Sequence, residues 1–318
     1  MDAILVEGLT KTFKSGWPWR PPIEALSGLS LSISRGEIYG FLGPNGAGKT
    51  TTLKILLGLM YATSGRVEIL GRPAGDLEVR RRIGFLPEAP YFYDYLTAEE
   101  FLAFYGHLAG LERGELSQRI DHLLEVVGLS EARTRQLRKF SKGMLQRVGL
   151  AQALIHDPEL VILDEPMSGL DPLGRKHVRD LILGLRDQGK TVFFSTHIIP
   201  DVEMICDRVG IIVQGKLLAA GRVDELVSNG HTQSVEIVCE GINADEVPSI
   251  TALATRVLQR GRHCLVALPG PDRLEDVLAM IRARGGKLVS VTPQKGSLEE
   301  LFFKPYHRPT GMQTKTRA

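Results

Sequence analysis

The sequence has few cysteines, almost no net charge and no long hydrophobic run. Its three cysteines, Cys206, Cys239 and Cys264, share no metal-ligand spacing, and their odd number favours a reducing compartment. A formal net charge of +2 is too small to predict nucleic acid or an anionic membrane as a partner. Because no run reaches about eighteen apolar residues, we expect no membrane-spanning segment. The first residues, MDAILVEGLTKTF, lack the basic start and apolar stretch of a signal peptide. These absences together predict a cytosolic protein.

A chain of 318 residues with 43% hydrophobic content is long enough for one large α/β domain and a smaller one. Internal repeats and sustained heptads are absent. Strand-like and helix-like segments alternate instead, and this order predicts a parallel sheet covered by helices on both faces. The strand candidates are EIYGFLG (37–43), RVEIL (66–70), RIGFL (82–86), LVILDEP (160–166) and TVFFSTH (191–197).

A helical block interrupts these strands. Thr97 and Glu100 form the sequence pattern of a capping box, and the helical pattern continues to about Val127 with a break near Gly110. The stretch KFSKGMLQR (139–147) begins its own helix, and another helix is expected at about 172–187. We therefore predict a helical subdomain over about 90–157.

The character of the sequence changes after residues 221–230. The strand candidates SVEIVCE, HCLVAL and KLVSV, a helix at about 272–284 and a terminal SLEELFF turn predict a small α+β domain over 231–304. The first domain then covers 1–230. The tail 305–318 is polar and without periodicity, and we expect it to be disordered.

A glycine-rich loop lies between the first of these strands and a helix that begins at Lys49. It fits the pattern GxxxxGK[ST] in the context that this pattern requires, so it predicts a loop that holds phosphate groups. Glycines let the backbone aim its N–H groups at the β-phosphate, Lys49 supplies a positive charge, and the Thr50 hydroxyl suits Mg²⁺. The loop residues are Gly43, Pro44, Asn45, Gly46, Ala47, Gly48, Lys49, Thr50 and Thr51.

Two carboxylates follow the apolar strand candidate at 160–163. Asp164 and Glu165 would lie at the carboxyl edge of the sheet, where open α/β sheets bind ligands. Asp164 suits a Mg²⁺ partner, and Glu165 is a candidate for polarising the attacking water. The alternative is a solvated acidic turn before Pro166. His197, at the end of another strand, is either a γ-phosphate contact or a structural histidine.

The stretch KFSKGMLQR raises a question, because Ser141 and Gly143 would form a second anion-binding helix start about ninety residues after the phosphate loop. When this helix start is included, the motifs of the chain follow the order found in a known family. Over residues 3–230 the chain resembles the nucleotide-binding subunit of ATP-binding cassette (ABC) transporters. The matching motifs are the phosphate loop, FLPE (85–88), the signature FSKGM (140–144) followed by QR, Asp164 with Glu165, the loop SGLD (168–171) and His197.

The resemblance implies an ABC ATPase fold, with a mixed sheet, helices on both faces and a helical subdomain. It implies ATP and Mg²⁺ as cofactors, ATP hydrolysis as the activity, and a second copy of the cassette as partner. The start of the signature helix would then contact the ATP of the partner subunit. The residues implied by the family are Phe13 against adenine; Thr50, Asp164 and Glu88 for the metal; Glu165 and His197 for catalysis; Ser141, Lys142 and Gly143 for the partner's ATP; and Ser168, Gly169, Leu170 and Asp171 for the dimer-facing loop.

Two positions depart from the general family pattern. Glu88 replaces the usual glutamine, which adds negative charge beside the phosphates. The signature reads SKGM instead of SGGQ, and Lys142 at the positive end of a helix requires a nearby anion. FLPE, SKGM and the C-terminal domain resemble the exporter branch, whose membrane subunit is a separate chain.

The resemblance implies a peripheral protein on the cytoplasmic face of the membrane, attached through that permease, with no nucleic acid as partner. An ABC ATPase that signals to a membrane partner without transport, or a soluble non-transport ABC ATPase, remains the alternative. Three aromatic features stay open: Phe13 as a core residue, YFYDYL (91–96) as a docking surface or as packing under the helical block, and SGWPWRPPIE (15–24) as a partner contact or a cover for the sheet edge.

Overall fold

The computed structural model describes residues 2–14, 19, 21–229, 234–242, 248–294 and 298–303. The chain divides into two compact units, Met1–Val223 and Asp224–Ala318. The tail 305–318 lies outside the described residues, as does most of the 15–20 stretch with Trp17, whereas Trp19 is described and exposed. In the described part of the chain, no helix is both long and apolar enough to cross a membrane.

The first unit alternates strands and helices. Its strands are β1 (Asp2–Phe13), β2 (Ile23–Ser34), β3 (Ile38–Leu42), β4 (Ser64–Ile69), β5 (Arg72–Pro73), β6 (Ile83–Leu86), β7 (Leu160–Asp164), β8 (Thr191–Thr196), β9 (Arg208–Val213) and β10 (Lys216–Arg222). The helices of this unit are α1 (Lys49–Leu56), α2 (Leu77–Arg80), α3 (Ala98–Leu108), α4 (Arg113–Val126), α5 (Lys142–Leu154), α6 (Pro172–Asp187) and α7 (Ile199–Ile205). Helix α8 (Val223–Asn229) begins at the last residue of this unit.

A six-stranded sheet carries the motif-bearing strands, in the order β10-β9-β3-β8-β7-β6. Strands β9, β3, β8, β7 and β6 are parallel, and β10 is an antiparallel edge strand. The apolar runs of β3, β7 and β8 are buried along their whole length, as strands covered on both faces require. Because parallel strands end at the same edge, the chain leaves β3, β6, β7 and β8 at one side of the sheet.

The prediction of RVEIL as a strand is confirmed, but this strand, β4, does not join the parallel sheet. It pairs antiparallel with β1 in a second sheet of order β2-β1-β4-β5. Only Ile69 of β4 is fully buried, which fits a strand with one covered face. The main core lies between the two sheets and α1, where apolar side chains of β1 and β2 meet Phe41 and Phe193. The ring centroids of Phe41 and Phe193 are 5.6 Å apart.

The helical block consists of α3, α4 and α5, which pack on one another. The predicted capping box is confirmed: Thr97 Oγ1 accepts from the Glu100 N–H, and the Glu100 carboxylate accepts from the Thr97 N–H. The predicted break is also confirmed, because Gly110 has a φ of +85° between α3 and α4. The start of α5 coincides with the KFSKGMLQR stretch.

The second unit is a small α+β structure. Its elements are β11 (Ser234–Glu240), α9 (Pro248–Thr251), β12 (Arg256–Arg260), β13 (His263–Leu268), α10 (Leu274–Ala283), β14 (Lys287–Gln294) and α11 (Leu298–Phe303). The strands form an antiparallel sheet of order β12-β13-β11-β14. Alternate residues of β11 and β13 face a core that α10 completes with Val277 and Ile281. The alternation explains why these strands were recognisable from sequence, whereas the largely exposed β12 was not.

Candidate nucleotide-binding site

The loop after β3 has the backbone shape that its glycines predict. Gly48 precedes α1 with a φ of +109°, and Gly46 has a φ of +79°; both lie in the left-handed region. A Cβ on Gly48 would stand 2.8 Å from the Ala25 carbonyl oxygen, so the close approach of β2 also requires glycine here. A Cβ on Gly46 would meet no atom within 4 Å, so there is open space beside the amino end of α1. The free N–H groups at such a helix end are suited to a phosphate group.

Lys49 is held inside this loop. Its Nζ donates to the carbonyl oxygens of Gly43 at 2.7 Å and Pro44 at 3.3 Å, and it lies 3.1 Å from Glu165 Oε1. Both side chains of this ion pair are only 6% exposed. The pair brings together the phosphate loop and the carboxyl end of β7, which are more than a hundred residues apart in sequence.

Glu165 lies at the centre of the site. Its φ of +50° is unusual for a residue with a Cβ, and its backbone N–H is fixed by the Ser195 carbonyl and hydroxyl oxygens. Oε2 is 2.9 Å from Nδ1 of His197, while Oε1 faces Lys49 without a hydrogen bond of good geometry among the described residues. A buried oxygen with unused capacity to accept a hydrogen bond fits a group that receives one from water or substrate.

Asp164 is buried at the end of β7, where its Oδ1 accepts from the Ser195 hydroxyl at 2.5 Å. Sequence reasoning did not identify Ser195, although a serine directly after the apolar residues 192–194 of β8 was the available signal. This serine contacts both acidic residues and therefore fixes their relative orientation. The solvated acidic turn that the sequence left as an alternative is excluded, because both carboxylates are buried.

A cleft of about 260 Å³ joins these elements. It contains most of the phosphate loop, Glu88 after β6, and Glu165. Its lining residues are Ala25, Pro44, Asn45, Gly46, Gly48, Lys49, Thr50, Thr51, Glu88 and Glu165. Asp164 and Phe13 do not line it. Phe13 is 38% exposed at the end of β1, so it is not the core residue considered as the alternative, and the Lys11 ammonium lies 5.2 Å from its ring centroid.

The helix start at Ser141 lies outside the lining of this cleft. Ser141 is the N-cap of α5 and accepts from the Met144 N–H at 3.3 Å, yet none of Ser141, Lys142 and Gly143 lines the cleft. Instead, Lys142 Nζ occupies the space beside Gly169, where a Cβ would meet it, and Leu170 lies near Gly143. The signature and the SGLD loop thus form one surface within the same chain.

Two further hydrogen bonds anchor the loop that follows Glu165. Gln146, buried in α5, donates to the Pro166 carbonyl oxygen at 2.9 Å. The sequence analysis placed Gln146 just after the signature but assigned it no contact. At the other end of the loop, Asp171 caps α6 by accepting from the Gly174 N–H at 3.0 Å. The loop between the strand and α6 is therefore anchored at both ends.

The donors suited to magnesium are spread over three segments. Among the His, Cys, Asp and Glu residues of the described ranges, no three are grouped closely enough to hold a metal ion by themselves. Mg²⁺ is usually bound by one or two carboxylates together with phosphate oxygens, so a dispersed set of oxygen donors is compatible with it. Thr50 and Glu88 line the cleft. Asp164 is buried and directly precedes Glu165, which also lines the cleft.

Comparison with known proteins agrees with this arrangement. The family model described as ABC transporter matches residues 26–168. An ABC transporter ATP-binding protein of Nostoc sp. is 44% identical, over 95% of this chain and 89% of its own length. The linearmycin resistance ATP-binding protein LnrL of Bacillus subtilis is 39% identical, over 87% of this chain and 92% of its own length.

Among solved structures, a dimeric ATP-binding cassette in a post-hydrolysis state, bound to ADP and Pi, is similar in fold. It has a TM-score of 0.63 and 28% sequence identity, and the match covers 69% of this chain and 98% of that one. The similarity extends across the whole of that cassette. The chain therefore belongs to the ABC transporter family as an ATP-binding subunit, and it is an ABC ATPase.

Proposed function

We propose that two copies of this chain close head to tail around two ATP molecules, and that hydrolysis drives a separate transmembrane permease in export. The observation that carries the proposal is the separation of two anion-binding helix starts. The cleft at α1 holds Lys49 and Glu165, while the start of α5 with Ser141 and Gly143 lies outside it. An anion-binding surface that does not reach its own cleft suits the nucleotide of a second copy.

Within its own cleft, each subunit would hold the phosphates through the backbone N–H groups of residues 43–51 and through Lys49. The ammonium of Lys49 is already desolvated and directed by two loop carbonyls, so little side-chain ordering is needed when phosphate binds. Phe13, with an exposed ring at the end of β1, is the proposed contact for adenine.

Thr50, Asp164 and Glu88 are the proposed residues for Mg²⁺, since all three offer oxygen atoms. The ion would neutralise charge on the transferred phosphoryl group. Asp164 is fixed by the Ser195 hydroxyl, which suits an indirect contact through water. Glu88 is exposed on the cleft wall and free to turn toward the ion.

Glu165 is the proposed general base. When ATP provides phosphate oxygens as the counter-charge for Lys49, the Oε1 atom becomes available to a water molecule. The water oxygen would attack the γ-phosphorus as the bond to the β–γ bridging oxygen breaks, and its proton would pass to Oε1. His197 holds the carboxylate through Oε2 and is the proposed contact of the γ-phosphate.

Ser141, Lys142 and Gly143 are proposed to bind the ATP of the partner subunit. Lys142 then gains the anion that its position at a helix start requires. The loop Ser168, Gly169, Leu170 and Asp171 is proposed to face the partner, and the closeness of Lys142 to Gly169 supports this. The two motifs form one surface, so a partner that contacts one also contacts the other.

The proposed permease contact includes the aromatic segment at 91–96. Phe92 packs on Phe101, with ring centroids 5.4 Å apart, whereas Tyr91 and Tyr95 are exposed. The segment thus divides between core packing and an exposed aromatic surface, and the exposed part suits a partner. The name of the linearmycin resistance relative supports export. Attachment through a permease would place the subunit on the cytoplasmic face of the membrane.

The test is a pair of complementary variants. Gly143→Asp should abolish turnover, because its carboxylate would oppose the partner's γ-phosphate. A Cβ on Gly143 would lie 3.8 Å from Leu170 Cδ2, an ordinary van der Waals distance, so the substitution fits the monomer. Gly143→Ala is the matched control, with the Cβ but without the charge, and we expect a smaller loss. Monomeric Gly143→Asp should still bind ATP.

Mixing Gly143→Asp with Lys49→Ala decides between composite and independent sites. Each mixed dimer would contain one site with both defects and one with neither, so activity should partly return. If each subunit used only its own motifs, every site would keep one defect and no activity would return. Failure of the Gly143→Asp monomer to bind ATP would also contradict the composite site.

A further inference from the structure

A buried ion pair lies away from the nucleotide cleft. Asp201, in α7, is 2% exposed, and its Oδ1 accepts from Arg179 Nη1 of α6 at 2.8 Å. Its second oxygen, Oδ2, has no hydrogen-bond partner among the described residues. Arg179 is thus the ionic partner of this carboxylate among the described residues, and neither residue belongs to the sequence motifs described above.

The pair joins the two helices that follow functional loops. Helix α6 begins at Pro172, directly after the dimer-facing loop, and Arg179 lies about two turns further along. Helix α7 begins at Ile199, two residues after His197. A displacement of α7 along α6 would therefore be transmitted to His197 through a connection of a single residue.

Apolar packing alone does not fix the rotation of α7. The helix has seven residues, about 10 Å of length, and it packs on the sheet through Val202, whose methyl groups lie against Gly40 of β3. Dispersion contacts are non-directional and tolerate small rotations. A hydrogen-bonded ion pair to the planar guanidinium of Arg179 is directional and limits them.

We infer that Arg179 and Asp201 are positioning residues for ATP hydrolysis, because their ion pair holds α7 against α6 so that His197 stays within hydrogen-bonding distance of Glu165. The pair also connects the dimer-facing loop to His197 within one subunit. The inference rests on the roles proposed above for Glu165 and His197. Neither Arg179 nor Asp201 contacts the nucleotide cleft.

Asp201→Asn tests this inference. It retains the size of the side chain and one acceptor but removes the charge that holds Arg179. We expect kcat for Mg-ATP to fall at least about tenfold, while ATP affinity changes less than about twofold because the phosphate loop is unaltered. In single-turnover assays, Asp201→Asn should cause no further loss in a His197→Ala background, since both changes disable the same contact.

Glu37→Gln is the matched control. Glu37 forms a comparable part-buried ion pair with Arg208 at 3.1 Å, but at the amino end of β3, whereas the phosphate loop follows the carboxyl end. It should lower Tm without a comparable loss of kcat. Equal kcat losses in Asp201→Asn and Glu37→Gln, or multiplicative losses with His197→Ala, would show a purely structural role and overturn the inference.

Arg179→Lys covers the case in which Asp201→Asn does not fold. It keeps the charge pair but loses the planar guanidinium, so we expect a partial kcat loss with little change in Tm. An unchanged kcat would overturn the inference. If His197→Ala itself leaves the rate unchanged, the proposed role of His197 fails, and this inference with it. A loss in His197→Ala without one in Asp201→Asn contradicts only the positioning pair.

Discussion

Glu165→Gln separates the two tasks that we propose for one carboxylate, general base in ATP hydrolysis and counter-charge of Lys49 in the nucleotide-free protein. The substitution conserves shape but removes the negative charge that lies 3.1 Å from Lys49. As the proposed base, Glu165 contributes about 10²–10⁴ in turnover, which corresponds to about 3–5 kcal/mol of barrier. We therefore expect hydrolysis to fall by that factor while ATP still binds, which leaves an ATP-bound dimer visible by size exclusion.

The same change should destabilise the nucleotide-free protein. Loss of one partner from a buried pair costs several kcal/mol, but Lys49 keeps two carbonyl acceptors, so we expect about 1–3 kcal/mol. For a unit of this size that lowers Tm by about 2–12 °C. Saturating Mg-ATP should remove most of this deficit, since its phosphates supply the missing counter-charge.

Thermal denaturation with and without Mg-ATP measures both effects, together with steady-state phosphate release. Glu37→Gln is again the control, because ATP should not restore the Tm lost at an ion pair distant from the phosphate loop. Turnover by Glu165→Gln within about tenfold of wild type would show that another group acts as the general base. A Tm deficit that ATP leaves unchanged would refute the role of Glu165 as the resting counter-charge of Lys49.

Further expectations concern the rest of the chain. Glu88→Gln should retain phosphate release, because glutamine is the residue expected from the family resemblance; a collapse would reveal a charge-specific role. The Arg133 guanidinium lowers the pKa of Glu99 below its usual 4.5 through a hydrogen bond, so this stabilisation is present above that value and is lost as pH falls through the lowered pKa. The Tm difference between wild type and Glu99→Gln that is present at pH 7 should therefore decrease as the pH falls from 4.5 through the lowered pKa. Replacement of Tyr91 and Tyr95 by serine should reduce recovery of the permease in affinity purification from membranes while ATPase activity of the isolated subunit is retained; full recovery would place the contact elsewhere.

Several features were predictable because they depend on neighbouring residues. The phosphate loop, the Thr97 capping box and the helix start at Ser141 are local patterns of glycine, hydroxyl and charge. The buried strands β7 and β8 were recognisable from their continuous apolar runs. The order of the motifs then indicated the family, and the family resemblance implied ATP as the nucleotide.

Other features required the arrangement of distant segments. Strand β4 has the composition of a sheet strand, but its partner is β1, and no local pattern states which sheet it joins. Ser195 and Gln146 hold Asp164 and Pro166 from other parts of the chain. Their contacts depend on strand register and helix packing, so residue type alone did not reveal them.

The sequence by itself determined which chemical groups this protein has, where its helices begin and which strands are buried, because caps, glycine conformations and apolar periodicity act over a few residues. Only the tertiary structure decided that Lys49 and His197 meet on opposite oxygens of Glu165 and that Arg179 pairs with Asp201. Those contacts depend on the order of the parallel strands β3, β8 and β7, which brings their carboxyl ends to one edge. They also depend on the positive φ of Glu165, a conformation that its surroundings impose and that a glutamate would not adopt alone.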